Sequence, residues 1–289
     1  MRGASKGEGL GNQFLSHIRA VDAVAQVLRC FEDANVTHVE GSVEPIRDAE
    51  TIETELMLAD LESLEKRRVA AEKRVRGADK DAKAEMNVIE SVLAALKDGK
   101  AARTVAVPAE LKPVLKSLQL LTAKPVLYIA NVEEAAAAKG NAQSQRVADY
   151  AKRQGAQSVV ISAAIEAEVA QLADAEERRA FLESLGLKET GLARVIRAGY
   201  ALLDLVTFFT VGPKEAHAWT VRKGAKAPEA AGAIHTDFEK GFIRAEVIAY
   251  DDYVACNGEQ GAKDGGKLRI EGAEYTIADG DILHIRFNL

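Results

Sequence analysis

The sequence predicts an α/β protein with an inserted α-helical hairpin and, after it, a separate small β-rich domain. Three observations carry that expectation. Short apolar runs bounded by turn residues, above all Pro125-Val126-Leu127-Tyr128-Ile129-Ala130, have the character of central parallel strands and alternate with segments of helical spacing. From residue 50 to residue 121 glycine almost disappears, leaving Gly77 and Gly99, while apolar residues recur in a heptad-like pattern. After Leu205 the chain turns to short alternating segments punctuated by Lys240-Gly241, Asn257-Gly258, Glu271-Gly272 and Asp279-Gly280-Asp281.

The elements follow in order. The chain opens on a polar run containing Gly3, Gly7, Gly9 and Gly11; such a backbone can approach a phosphate closely, but no strand precedes it and alone it reads as a loop. Phe14, Leu15, Ile18 and Val21 then recur at helical spacing, and residues 23–31 read as a buried strand. In the insertion, Met86, Ile89, Leu93 and Leu96 form a stripe that faces Ile52, Leu56, Leu61 and Leu64, with a turn at Gly77-Ala78-Asp79. Pro108 and Pro113 bracket the start of a further short helix. The strand at 125–130, a helix, a second strand at 158–162 and more helices to about residue 203 resume the α/β alternation.

Composition limits the function classes. At ~150 residues per domain, 289 residues suggest two domains. Lys+Arg 38 against Asp+Glu 44 leaves a net charge of −6, and 47% hydrophobic residues is an ordinary globular value, which excludes collagenous and disordered chains. The apolar runs fall well short of the ~18 residues that cross a bilayer, and the polar start lacks the apolar core of a secretory signal. The expectation is a cytoplasmic protein with no membrane partner and no DNA partner. Cys30 and Cys256 form no CxxC pair and read as packing residues.

Several motifs bear on chemistry. Residues 261–267 have the GxxxxGK spacing of a phosphate loop, but Leu268 stands where Ser or Thr is needed and strands follow instead of a helix, so a surface loop is expected. His17, His38, His217, His235 and His284 show neither HExxH nor i,i+4 pairing, and no metal site is expected. His38 is set apart by its loop, which contains Gly41 and Pro45 and follows a strand; an imidazole there could position a water.

Asn131-Val132-Glu133-Glu134 follows the carboxyl end of an apolar strand, where open α/β sheets bind ligands. An amide and a carboxylate there can hydrogen-bond a base edge; spacing alone favours a helix cap with first-turn acids. Ser162-Ala163-Ala164 ends the next strand in the same way, and the coincidence of two such strand ends favours one nucleotide crevice. Between residues 66 and 83, eight Lys/Arg stand against three Asp/Glu, so the hairpin tip is basic within an acidic protein. That suits contact with a phosphate backbone such as ribosomal RNA, and equally a solvated helix tip.

Residues 2–15, RGASKGEGLGNQFL, closely resemble the stretch after the DxxG switch of the YchF/Obg-like ATPases. Similar matches run through Val27-Leu28-Arg29-Cys30-Phe31, Tyr128-Ile129-Ala130-Asn131-Val132, Arg194-Val195-Ile196-Arg197-Ala198-Gly199-Tyr200 and residues 235–245, so the resemblance covers essentially the whole chain. It implies a P-loop NTPase sheet (G domain) that is incomplete here, with residues 1–49 and 122–203 in that domain, a coiled-coil hairpin at 50–121 and a β-grasp (TGS) domain at 204–289. It also implies ATP bound in preference to GTP with Mg²⁺, nucleotide hydrolysis, and association with the ribosome linked to translation and stress.

The resemblance assigns roles residue by residue. Guanine-specific relatives carry NKxD; the family carries NMxE or a variant, matched by Asn131, Val132 and Glu134, and Ser162, Ala163 and Ala164 match the last base-side loop. His38 matches the histidine that the family is thought to use catalytically. The P-loop Lys and Ser/Thr, the switch Thr and the Asp of DxxG have no counterpart in the 289 residues. A poor ATPase with the base-reading half of a site is therefore expected. The chain is then either a truncated or misplaced-start copy of the enzyme, or a non-catalytic module that binds ribosomes through the basic hairpin and the TGS domain.

Overall fold

The computed structural model describes residues 11–33, 36, 41–77 and 79–288. The chain divides into two compact units, one ending at Leu202 and the other spanning Leu203–Leu289.

The first described elements of the first unit are α1 (Gly11–Ala20) and β1 (Val24–Arg29). The helical hairpin follows as α2 (Pro45–Arg76) and α3 (Lys80–Lys97), after which come a short α4 (Lys112–Ser117) and β2 (Val126–Asn131). Pro45 starts α2 well: a first-turn proline loses no intrahelical hydrogen bond and has the right φ in advance. The turn is closed by Gly77, whose N–H reaches the carbonyls of Arg74 and Val75, and by Asp79, whose carboxylate accepts from Asp81 N and Ala82 N. Those acceptors satisfy N–H groups that a helix start leaves unpaired. The Arg74 guanidinium, 2.9 Å from Asp79 and 2.8 Å from Glu85, ties the two helices at the tip.

Met86, Ile89, Leu93 and Leu96 of α3 pack with Leu61 and Leu64 of α2, as their spacing predicts. The stripe assigned to α2 is split, however. Ile52 and Leu56 join Leu15 and Ile18 of α1 and Leu121 in another cluster. α2 has 32 residues and α3 has 18, so the first turns of α2 run beyond the reach of α3 and cover α1 instead. Asp60 sits fully buried on α2, its carboxylate accepting from Leu121 N (2.8 Å), Thr122 N (2.8 Å) and Thr122 Oγ1 (2.7 Å). This network joins the hairpin to the segment that leads into β2.

The chain continues with α5 (Ala142–Arg153), β3 (Gln157–Ile161), α6 (Ala163–Gln171), α7 (Ala175–Ser184) and α8 (Gly191–Leu202). The sheet is parallel, in the order β1-β2-β3, with Arg29 opposite Asn131 and Asn131 opposite Ile161. β2 is central, and its residues from Val126 to Ala130 are all buried, which is why they read as an unbroken apolar run.

The second unit is a five-stranded mixed sheet carrying four helices. Its elements are β4 (Leu205–Val211), β5 (Ala216–Arg222), α9 (Ala227–Ile234), α10 (Thr236–Lys240), β6 (Phe242–Ala249), α11 (Tyr250–Ala255), α12 (Glu259–Asp264), β7 (Arg269–Glu271) and β8 (Asp281–Phe287), with sheet order β5-β4-β8-β6-β7. Phe208, Ala245 and Val247 of the strands and Ala227 and Ala230 of α9 are fully buried together. The turn before β8 needs Gly280 at φ +85°, and Asp279 beside it accepts from Thr207 N at 2.8 Å.

Residues 261–264 lie within α12, so the expected surface loop with phosphate-loop spacing is in part a helix. A Cβ on Gly261 would lie 1.9 Å from the Cys256 carbonyl oxygen, so this glycine serves a close backbone approach.

Candidate functional site

The carboxyl ends of β1, β2 and β3 lie side by side because the strands are parallel and in register. Backbone bonds knit the edge: Cys30 N donates to Asn131 O at 2.8 Å, and Val132 N donates to Ile161 O at 2.8 Å. Asn131 therefore holds the middle of three adjoining strand ends.

The side-chain oxygen of Asn131 accepts the N–H of Ala163 at 2.9 Å, which brings the loop after β2 against the loop after β3. Asn131 does not cap the turn that follows it; a 3-10 turn over Glu134–Ala136 comes next, and its cap position is Glu133. The Asn131 amide instead satisfies the first free N–H of α6, a helix whose own cap residue, Ser162, makes no side-chain capping bond.

Around that bond the other residues expected on the base side differ in exposure. Val132 and Ser162 are each 2% exposed, whereas Glu134, Ala163 and Ala164 face solvent. The Ser162 hydroxyl has no hydrogen-bond partner among the described residues, an unsatisfied polar atom that costs ~1–3 kcal/mol when desolvated. The Glu134 carboxylate is bonded to no described residue. A carboxylate, a pair of alanine methyls and an unpaired hydroxyl at one sheet edge suit a flat heterocycle with hydrogen-bonding edges. His38 lies outside the described residues.

Two further residues build this edge. Asn141 Nδ2 donates to the Cys30 carbonyl at 2.6 Å and to Glu133 Oε2 at 2.9 Å, while its side-chain oxygen accepts Ser144 N in a capping box. It thereby ties the end of β1 to the loop after β2. Arg29 holds the backbone beyond β1 through Phe31 O (3.0 Å), Val36 O (2.8 Å) and Asp33 O (3.2 Å). Gly140-Asn141 ahead of a helix is a readable cap signal, but nothing in its spacing reveals the partners on β1. Burial, reinforced by the Glu133 carboxylate, pushes the Cys30 thiol up to about 12, so it stays protonated and inert at neutral pH.

A parallel sheet with two loops joined at its carboxyl edge, a coiled helical hairpin and a separate mixed β-sheet unit have the fold of a G-domain protein of the P-loop NTPase class with a C-terminal TGS domain. The family profile YchF-GTPase_C, described as "Protein of unknown function (DUF933)", matches residues 205–288. Over 287 residues the chain is 53% identical to the "Ribosome-binding ATPase YchF" of Haemophilus influenzae, covering 99% of this chain and 78% of that protein. The protein of the same name from Bacillus subtilis is 50% identical over 291 residues, covering 100% of this chain and 79% of the relative. The solved structure of the Schizosaccharomyces pombe YchF GTPase superposes with a TM-score of 0.84 at 38% identity, covering 99% of this chain and 78% of that one. The chain belongs to the YchF family.

Proposed function

We propose that these residues supply the base-side half of the nucleotide site of a cytoplasmic, ribosome-associated ATPase, ATP being preferred to GTP. The observation that carries this reading is the Asn131–Ala163 hydrogen bond, which joins the two loops expected to read a purine. In it, Glu134 accepts from a base edge, Ala163 and Ala164 pack on the ring plane, and Val132 and Ser162 form the buried floor. His38 is assigned to positioning the attacking water. Residues 1–49 and 122–203 are assigned to the G domain, 50–121 to the hairpin and 204–289 to the TGS domain.

The group's triphosphate and Mg²⁺ find no phosphate loop of the GxxxxGK[ST] type in the 289 residues. Phosphate positioning supplies most of the catalysis in such enzymes, so beyond the water-positioning role given to His38 no hydrolytic step is assigned to this chain. Calorimetric titration of the chain with adenosine, ADP and ATP, with and without Mg²⁺, tests the assignment. Base reading alone gives weak binding of similar strength for all three; tight binding that requires Mg²⁺ and the γ-phosphate overturns it.

For the ribosomal contact we assign the hairpin tip. Lys73, Arg76 and Lys83 are exposed there and pair with no described acid, whereas Lys66 pairs with Glu62, and Arg68 with Glu65 and Glu72. Unpaired cations grouped on one tip suit ribosomal RNA phosphates. Should the nucleotide titration show no binding at all, the same tip and the TGS domain would serve as a non-catalytic ribosome-binding module.

A further inference from the structure

The strongest unassigned feature lies in the second unit and is independent of the nucleotide reading. Glu246 on β6 stands directly opposite His284 on β8, so the two side chains share one face of the sheet. Gly258, at φ +115°, turns the chain into α12, whose first residue, Glu259, reaches the same place. One carboxylate oxygen from each glutamate and one imidazole nitrogen lie within 4.8 Å of one another. The side chains of Glu259 and His284 form no hydrogen bond or ion pair with a described residue. The three donor groups lie side by side without bonding one another.

A second observation concerns space. The same three side chains line a cavity of about 10 Å³ whose other walls are apolar, among them Ile248, Leu268 and Ile282. That volume holds one water-sized occupant. Arg286 donates to both oxygens of Glu246, at 3.2 and 3.1 Å, and fixes its orientation, and Arg244 lies 3.9 Å from the same carboxylate. Each carboxylate oxygen keeps a further lone pair, and hydrogen-bonded support behind a ligating carboxylate is the usual arrangement at metal sites.

We propose that Glu246, Glu259 and His284 hold a divalent transition-metal ion of the Zn²⁺ class, with water completing its shell. The imidazole selects against Mg²⁺ and Ca²⁺, which take oxygen ligands, and the absence of a thiolate from the donor set selects against Cu(I). The ion joins α12 to the central strands of the sheet and acts as a structural clip. His284 and Glu259 are exposed, so it exchanges with solvent.

The test uses the untagged full chain. Zn²⁺ is titrated calorimetrically and Co²⁺ by visible absorption, into the parent chain and into His284→Ala, Glu259→Gln, His217→Ala and His235→Ala. The proposal expects one strong site whose affinity falls by more than about tenfold in the first two variants, because even residues behind a ligand are worth 10–100-fold. It also expects no change in the last two, no displacement by excess Mg²⁺, and a Zn²⁺-dependent rise in Tm that His284→Ala and Glu259→Gln both lose. No strong site in the parent chain, parental affinity retained in His284→Ala or Glu259→Gln, or loss of the site in His217→Ala or His235→Ala would each overturn it.

Discussion

Asn131 and Ala163 are 32 residues apart in the chain, yet the side-chain oxygen of one accepts the backbone N–H of the other at 2.9 Å. The bond depends on the parallel register that sets Asn131 beside Ile161, because only then does the first residue of α6 fall within reach of the amide. It makes one edge out of two loops. It also occupies the leading N–H of α6, so a ligand that needs that donor has to displace the amide.

Asn131→Ala removes the acceptor while leaving the Ala163 N–H at an exposed site. The expected loss of stability is about 1 kcal/mol, the net worth of one such hydrogen bond, read from urea unfolding. Adenosine binding is expected to weaken in the same variant, whereas Asn131→Asp, which keeps the acceptor, retains the stability. Equal stability of the alanine and parent chains would mean that the two loops hold together without this bond.

Asp60 supplies a pH dependence with a definite sign. Burial holds its carboxyl above the usual range, outweighing the hydrogen bonds from Thr122 and Leu121 that act the other way. A raised carboxyl pKa means the folded state binds more protons than the unfolded one between the unfolded value of about 3.9 and the higher folded value. Through that window Asp60 therefore makes stability fall as pH rises. Carboxylates held low by partners, such as Glu246 by Arg286, contribute with the opposite slope, so the comparison with Asp60→Asn isolates the effect. The variant is expected to lose this downward component and to be less stable at pH 5 by ~1–3 kcal/mol, since an amide cannot accept from all the donors. Parallel stability curves for the two chains would remove Asp60 from the account.

At the hairpin tip, the triple variant Lys73→Glu, Arg76→Glu, Lys83→Glu is expected to reduce co-sedimentation with ribosomes and to flatten its salt dependence. Reversal of Lys66, already paired with Glu62, is expected to do less. Co-sedimentation unchanged in the triple variant at moderate salt would move the contact elsewhere on the chain.

Core packing within the hairpin gives a fourth test. Leu64 is fully buried between α2 and α3, so Leu64→Ala is expected to cost ~2–5 kcal/mol on chemical denaturation. Leu58, 47% exposed on the same helix, is expected to tolerate alanine at less than ~0.5 kcal/mol. Similar costs at both positions would contradict the packing described here.

The parts of the molecule legible in advance are those written in local periodicity. β2 was readable because a strand buried on both faces carries no charged residue between Val126 and Ala130. The hairpin was readable because Met86, Ile89, Leu93 and Leu96 repeat at the period that a helix presents to a partner. Where two partners compete for one helix, periodicity carries no information about which wins, and Ile52 and Leu56 pack with α1 instead of α3. Residues 261–267 read as a surface loop, but 261–264 lie in α12, where Gly261 gives the backbone clearance against Cys256.

The sequence by itself determined the main elements of the first unit, the basic character of the hairpin tip and the kinship with one family, since each depends on residue identity and spacing along the chain. Tertiary structure alone decided that Asn131 serves α6, that Asn141 serves β1, and that Glu246, Glu259 and His284 meet. The reason is one of range: spacing rules describe neighbours within a few residues, whereas these groups are brought together by strand register and by turns, whose geometry is set by the burial of everything beneath them.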